Sequence, residues 1–311
     1  MFEERKINPE LLKQYREQGY WKNETLLDCW ERAAAQYPDR EYVVDDRGYR
    51  YTYRELDEAA GRVASYLMEL GIRPGEVVSY QFPIWSEFAM LTIACYKVGA
   101  VAHPIAMSYE EKELARSLNV TESRCYFGPT YFYKTDYEER ILAVRDQTPL
   151  LKDIVLIDSV KPAKSSVRLL REILASYEPL PKEQCVHTKN GQDIAVILCT
   201  SGTTGGTKGV LLSHDNVRFA EEAFNRELGL TKEDIMFMPA PLHHATGFHH
   251  AIIAPMLYGG KVVLQQKYQC RAAIDLMNRE KVTYSMGATP FIYDILRELD
   301  ANGGGPPTPE N

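Results

Sequence analysis

The segment from Thr200 to Gly209 reads TSGTTGGTKG and holds four glycines, five hydroxyl side chains and one lysine. That composition suits a polyphosphate. Gly202, Gly205 and Gly206 let backbone N–H groups approach phosphate oxygens and form anion-binding nests. The hydroxyls of Thr200, Ser201, Thr203, Thr204 and Thr207 donate further hydrogen bonds, and Lys208 adds a mobile positive charge. A Walker loop, GxxxxGK[ST], would need glycine at 207 and a hydroxyl at 209; the chain has Thr207 and Gly209. A Gly/Ser/Thr run is more often a plain linker. Against that reading, apolar stretches at 194–199 and 210–212 flank the segment tightly, and it contains a lysine but no acid. The flanks read as two strands, so the loop joins strands and has no helix dipole behind its phosphates.

Four histidines, His243, His244, His249 and His250, form an HHxxxxHH cluster. Their neighbours are apolar and the stretch offers no carboxylate or cysteine, so no metal site is expected. The six cysteines at 29, 95, 125, 185, 199 and 270 include no CxxC pair, which excludes zinc ribbons and thioredoxin-type motifs. They read as small buried hydrophobes.

The elements around these residues alternate between strand and helix. Asn8-Pro9 reads as a cap and first turn. A helix follows Asn23, with Leu26, Leu27, Trp30 and Ala34 on one face. The clearest helix covers 53–70, with Leu56, Ala60, Val63, Ala64 and Leu67 at helical spacing and Gly71 as its stop. Strands are expected at 41–44, 77–82, 100–104, 124–127 and 154–157, with a helix over 86–97. Ser108 and Glu111 suggest a capping box. Repeated β-then-α units imply an α/β fold with a parallel sheet and helices on its faces. Residues 177–193 are polar with two prolines, which places a lobe boundary near 190: a first lobe over 1–190 and a second over 191–311.

With 311 residues, 45% hydrophobic and 25% charged, the chain has the composition of a globular protein with a large core. Its 36 basic residues against 43 acidic ones give a net charge of −7, which argues against a nucleic-acid binder. MFEERKINPE has no apolar core, and no apolar stretch is long enough to span a bilayer, so a cytoplasmic protein with reduced thiols and no transmembrane segment is expected.

TSGTTGGTKGVLLSH resembles the phosphate-loop signature of the adenylate-forming superfamily, which includes acyl- and aryl-CoA synthetases, luciferase and the adenylation domains of peptide synthetases. Thr207 stands where that family usually has proline, a change in loop stiffness that leaves the lysine and hydroxyls in place. Other matches follow in order. Tyr51-Thr52-Tyr53-Arg54-Glu55-Leu56 is similar to an early TY-x-EL motif. Tyr96 to Ala100 with Pro104 is similar to K-x-GA-x-x-x-P. Residues 241–247, PLHHATG, resemble P-L-x-H-x-x-G, and 286–290, MGATP, resemble a later pocket-lining segment. The resemblance runs from about residue 24 to the end and is nearest to fatty or alicyclic acyl-CoA synthetases.

The resemblance implies layered sheets with flanking helices and two half-reactions. A carboxylate attacks the α-phosphorus of Mg2+-ATP to give acyl-AMP and pyrophosphate; the CoA thiol then displaces AMP. Lys208 would stabilise the departing pyrophosphate, His244 would stand beside the acyl carboxylate, and Phe248, Gly287, Ala288 and Thr289 would line the acyl pocket. His244 as a buried core histidine is the plain alternative. ATP, Mg2+, CoA and a small carboxylic acid are the implied ligands. The chain ends before the family's YG-x-TE motif, the ribose-binding aspartate and the small C-terminal domain. It reads as an incomplete N-terminal domain, inactive alone, with an apolar face that would favour a homodimer. Rival readings are an aryl-acid or other adenylating enzyme and a non-catalytic nucleotide-binding scaffold.

Overall fold

The computed structural model describes residues 8–158, 160–188, 190–200 and 208–301. Local signals set most of its helices. Asn8 caps α1 (Pro9–Glu17) by accepting from the Glu10 N–H at 2.9 Å. Thr25 with Asp28 forms a capping box on α2 (Leu26–Gln36), and Thr52 with Glu55 forms another on α3 (Tyr53–Glu69). α4 (Glu87–Lys97) is buried on every face, because it lies in the layer between two sheets. The capping box expected from Ser108 and Glu111 does not form. α5 (Glu111–Val120) starts later, with Glu110 at its N-cap and no side-chain cap bond. The remaining helices of the first half are α6 (Tyr137–Ala143) and α7 (Leu170–Ser176). α8 (His214–Leu228) has a Ser213–Asn216 capping box at its start and Gly229 at φ +64° at its end.

The strands in chain order are β1 (Glu41–Asp45), β2 (Arg50–Thr52), β3 (Val77–Tyr80), β4 (Val101–Pro104), β5 (Cys125–Pro129), the small hairpin β6 (Tyr131–Phe132) and β7 (Thr135–Asp136), β8 (Asp153–Ile157), β9 (Arg168–Leu169), β10 (Ile194–Thr200), β11 (Lys208–Ser213), β12 (Ile235–Met238), β13 (Lys261–Leu264) and β14 (Tyr284–Ser285). They build a seven-stranded sheet, β11-β10-β4-β3-β5-β8-β9, and a five-stranded sheet, β14-β12-β13-β1-β2. Most pairs are parallel, as the βα alternation requires, but β10–β11 and β1–β2 are antiparallel. α3 and α4 pack between the sheets with Trp30, Tyr42, Tyr53, Trp85 and Phe88 in the main core. A second core, around Leu114, Leu118, Tyr126 and Ile154, lies under α5 and α6.

Each sheet takes strands from both sides of residue 190. β10 joins the larger sheet beside β4, and β1 joins the smaller one beside β13. A boundary near 190 therefore does not part the sheets. Parallel pairing needs distant segments, and nothing in a local composition shift reports which distant strand is the partner.

Candidate functional site

The segment Thr200 to Gly209 begins and ends on the paired antiparallel strands β10 and β11. Thr200 pairs with Lys208, Cys199 with Gly209 and Leu198 with Val210. Ser201, Gly202, Thr203, Thr204, Gly205, Gly206 and Thr207 lie outside the described residues. The two residues that close the hairpin are both exposed, and the Thr200 hydroxyl donates to the Lys208 carbonyl at 3.5 Å. Lys208 makes no ion pair among the described residues. A Cβ on Gly209 would meet Ile197 Cγ2 at 3.0 Å, so a side chain there would require the Ile197 methyl to shift by a few tenths of an ångström. The loop joins two strands, as its flanks suggested, and no helix starts at its end.

β11 runs directly into α8, whose first turn is tied down from below. The fully buried Arg218 guanidinium bonds Asp215 at 3.0 Å and the Tyr20 carbonyl at 2.9 Å. The Lys22 backbone N–H donates to Asp215 at 3.1 Å. The root of the hairpin is thus held against the N-terminal segment.

The PLHHATG segment follows β12. The His244 N–H bonds the Pro241 carbonyl at 3.2 Å, and the Phe248 N–H bonds the His244 carbonyl at 2.8 Å. A Cβ on Gly247 would lie 2.3 Å from the Pro241 oxygen, so the fold demands glycine there. The His244 side chain is exposed, which rules out the buried-core alternative. Its ring sits 4.3 Å from that of His243. Burial, and then the neighbouring His244, push His243 down to about 4, leaving it neutral at physiological pH.

Phe248, expected at a pocket wall, is fully buried in the main core, 6.4 Å from the ring of Phe88. Gly287 packs against Pro239: a Cβ there would meet Pro239 Cγ at 2.9 Å. This contact sets the MGATP segment beside the start of PLHHATG. Ala288 and Thr289 are exposed, the latter at the start of a last helix, Thr289–Ala301. Among the described residues no hydrogen bond or ion pair joins Lys208 to His244, and no group of three His, Cys, Asp or Glu side chains could hold a metal ion.

Sequence reasoning missed Glu221. It lies on the buried face of α8 and accepts from His249 Nδ1 at 3.1 Å and His250 Nδ1 at 3.0 Å. Burial pushes its carboxyl up, but the two histidine donors outweigh burial and hold it below the usual carboxylate range. The available signal was position: Val217, Glu221 and Asn225 recur every four residues on the same face, and an acid on a buried face needs partners. A cavity of about 400 Å³ between α5 and the hairpin, lined by Tyr109, Lys112, Cys199 and Leu211, was also unforeseen.

A family model described as AMP-binding enzyme matches residues 30–306. The chain belongs to this family. It is 40% identical over 286 residues to the medium-chain fatty-acid–CoA ligase of Escherichia coli (strain K12), covering 92% of this chain and 50% of that protein. It is 27% identical over 283 residues to the 2,3-dihydroxybenzoate-AMP ligase of Bacillus subtilis (strain 168), covering 91% and 50%. The apo structure of Mycobacterium smegmatis MbtA superposes with a TM-score of 0.84 at 23% identity, over 94% of this chain and 53% of that one. The anthranilate CoA ligase AuaEII, bound to anthranoyl-AMP, gives 0.81 at 21%, over 90% and 53%. These structures establish the fold: the layered α/β architecture of the N-terminal domain of adenylate-forming enzymes. The chain spans about half the length of the curated relatives it matches. No helix among the described residues is long and apolar enough to cross a membrane.

Proposed function

We propose that this AMP-binding chain is the phosphate-binding and carboxylate-binding part of a cytoplasmic ATP-dependent carboxylate–CoA ligase acting on medium-chain fatty acids. The observation that carries the reading is the β10–β11 hairpin, which closes on Thr200 and an exposed Lys208 that makes no ion pair among the described residues. The acyl class rests on the 40% identity to a medium-chain fatty-acid–CoA ligase.

In the first half-reaction the carboxylate oxygen bonds the α-phosphorus of ATP and the bond to the bridging oxygen breaks, releasing pyrophosphate. In the second, the CoA thiol loses its proton to solvent, its sulfur bonds the acyl carbon, the acyl–phosphate C–O bond breaks and AMP leaves. Charge gathers on the departing pyrophosphate, where loop donors and Lys208 would stabilise it electrostatically. His244, exposed beside a neutral His243, is free to orient the incoming carboxylate. Mg2+ would arrive with ATP. Gly287, Ala288 and Thr289 would border the acyl group.

The test is a binding panel of non-hydrolysable acyl-adenylate mimics. Octanoyl-sulfamoyl-adenosine should bind more tightly than the 2,3-dihydroxybenzoyl analogue. The reverse order would move the assignment to aryl acids.

A further inference from the structure

His249 and His250 are neighbours in sequence, yet both reach one carboxylate. In an α-helix consecutive side chains point about 100° apart. Here the backbone widens into a π-helix over Phe248–Ile253, a distortion that recurs at functional positions. Glu221 meets His249 with Oε1 and His250 with Oε2, and its side chain is only 2% exposed. The Phe224 ring lies 4.2 Å from that of His250 and limits its rotation. One turn further along α8, Asn225 donates to the Ala254 carbonyl at 3.1 Å, where the π-helix ends. α8 therefore grips the π-helix at both ends. Because α8 starts at the foot of β11, the chain runs without a break from the hairpin through α8 to the residues that hold the segment carrying His244.

We propose that Glu221 is a positioning residue: its ionised carboxylate fixes His249 and His250 as Nδ1–H tautomers, seats the π-helix on α8, and so sets His244 relative to the phosphate hairpin. An ionised carboxylate can only accept hydrogen bonds, so both neutral imidazoles must donate from Nδ1. Neither ring has another hydrogen-bond partner among the described residues. Burying a charged group is costly even when it is paired, and apolar side chains would hold a helix more cheaply. What the ionic clamp adds is a single register, because two donors must meet two fixed oxygens. Its consequence for ligand binding rests on the carboxylate-activating reading above.

Imidazole 15N shifts of His249 and His250 in the whole chain, recorded at about pH 9 where an ordinary imidazole is neutral, report the tautomers directly. Wild type should show Nδ1–H on both rings. In Glu221→Gln the amide oxygen can accept from one ring while its NH2 donates to the other, so one ring should switch to Nε2–H. The same variant should bind octanoyl-sulfamoyl-adenosine about tenfold or more weakly, with Mg2+-ATP affinity unchanged. Nε2–H rings in wild type would overturn the proposal without any variant being needed. So would unchanged tautomers in Glu221→Gln, or equal affinity of both proteins for the mimic. A wild type that binds no mimic would instead sink the ligase reading, and the positioning role with it.

Discussion

At Gly247 an added Cβ would sit 2.3 Å from the Pro241 carbonyl oxygen and 2.7 Å from Leu242 Cα. The contacts are backbone, so no side-chain rotation relieves them. Gly247→Ala should destabilise the chain by roughly 1–3 kcal/mol, in the range of overpacked core sites, and urea unfolding would show it as a lower midpoint at unchanged slope. Lys208 is the opposite case. It is exposed and makes no ion pair among the described residues, so Lys208→Ala should change stability by no more than about 0.5 kcal/mol while removing charge from the loop. The lysine and the hydroxyls were proposed from local chemistry alone, and of these only Thr200 and Lys208 lie among the described residues. Glu221 was not, because its meaning lies in partners about thirty positions away on another element. Phe248 shows the same limit: an aromatic near a candidate pocket cannot be told from a core aromatic until its neighbours are known.

The elements were set largely by local chemistry. Thr52 caps α3 through Glu55, and both sit at the surface. Thr52→Ala should cost about 1 kcal/mol, measurable by chemical denaturation. Where the expected Ser108 cap failed, the helix simply began past it, at Glu111. The smaller sheet also carries an ionic tie. Glu280 accepts a bidentate pair from Arg50, both at 2.9 Å, and a bond from Lys261 at 2.8 Å. The Arg50 hydrogen bonds, against opposing burial and with help from Lys261, hold Glu280 down to about 2. An unfolded glutamate titrates near about 4.3. The folded value is lower, so the stabilisation is complete above that range and is lost as pH falls from about 4 towards 2. Glu280→Gln should therefore be less stable than wild type at neutral pH, with the gap narrowing on acidification. Denaturant midpoints across that range would check it, and a gap that widened in acid would contradict the assignment.

For the whole molecule, the fold class was legible from the βα alternation, but the partition was not. β1 pairs with β13 from Val43↔Val262 to Asp45↔Leu264, and β10 pairs with β4 at Val196↔Ala102. Neither pairing leaves a trace in a local window. Because each sheet draws strands from both sides of residue 190, fragments 1–190 and 191–311 made separately should each fail to unfold cooperatively; a cooperative transition from either alone would contradict this. What the molecule assembles is a hairpin, a helix leaving its foot, and a histidine-bearing segment clamped to that helix. In the proposed function the hairpin binds the phosphates of ATP. A calorimetric titration of Mg2+-ATP into the chain, beside Lys208→Ala, tests it most directly. Saturable binding that the substitution weakens at least about tenfold, or about 1.4 kcal/mol, is the predicted result. A folded, monodisperse chain that binds no nucleotide, or binds it equally well without Lys208, would contradict it.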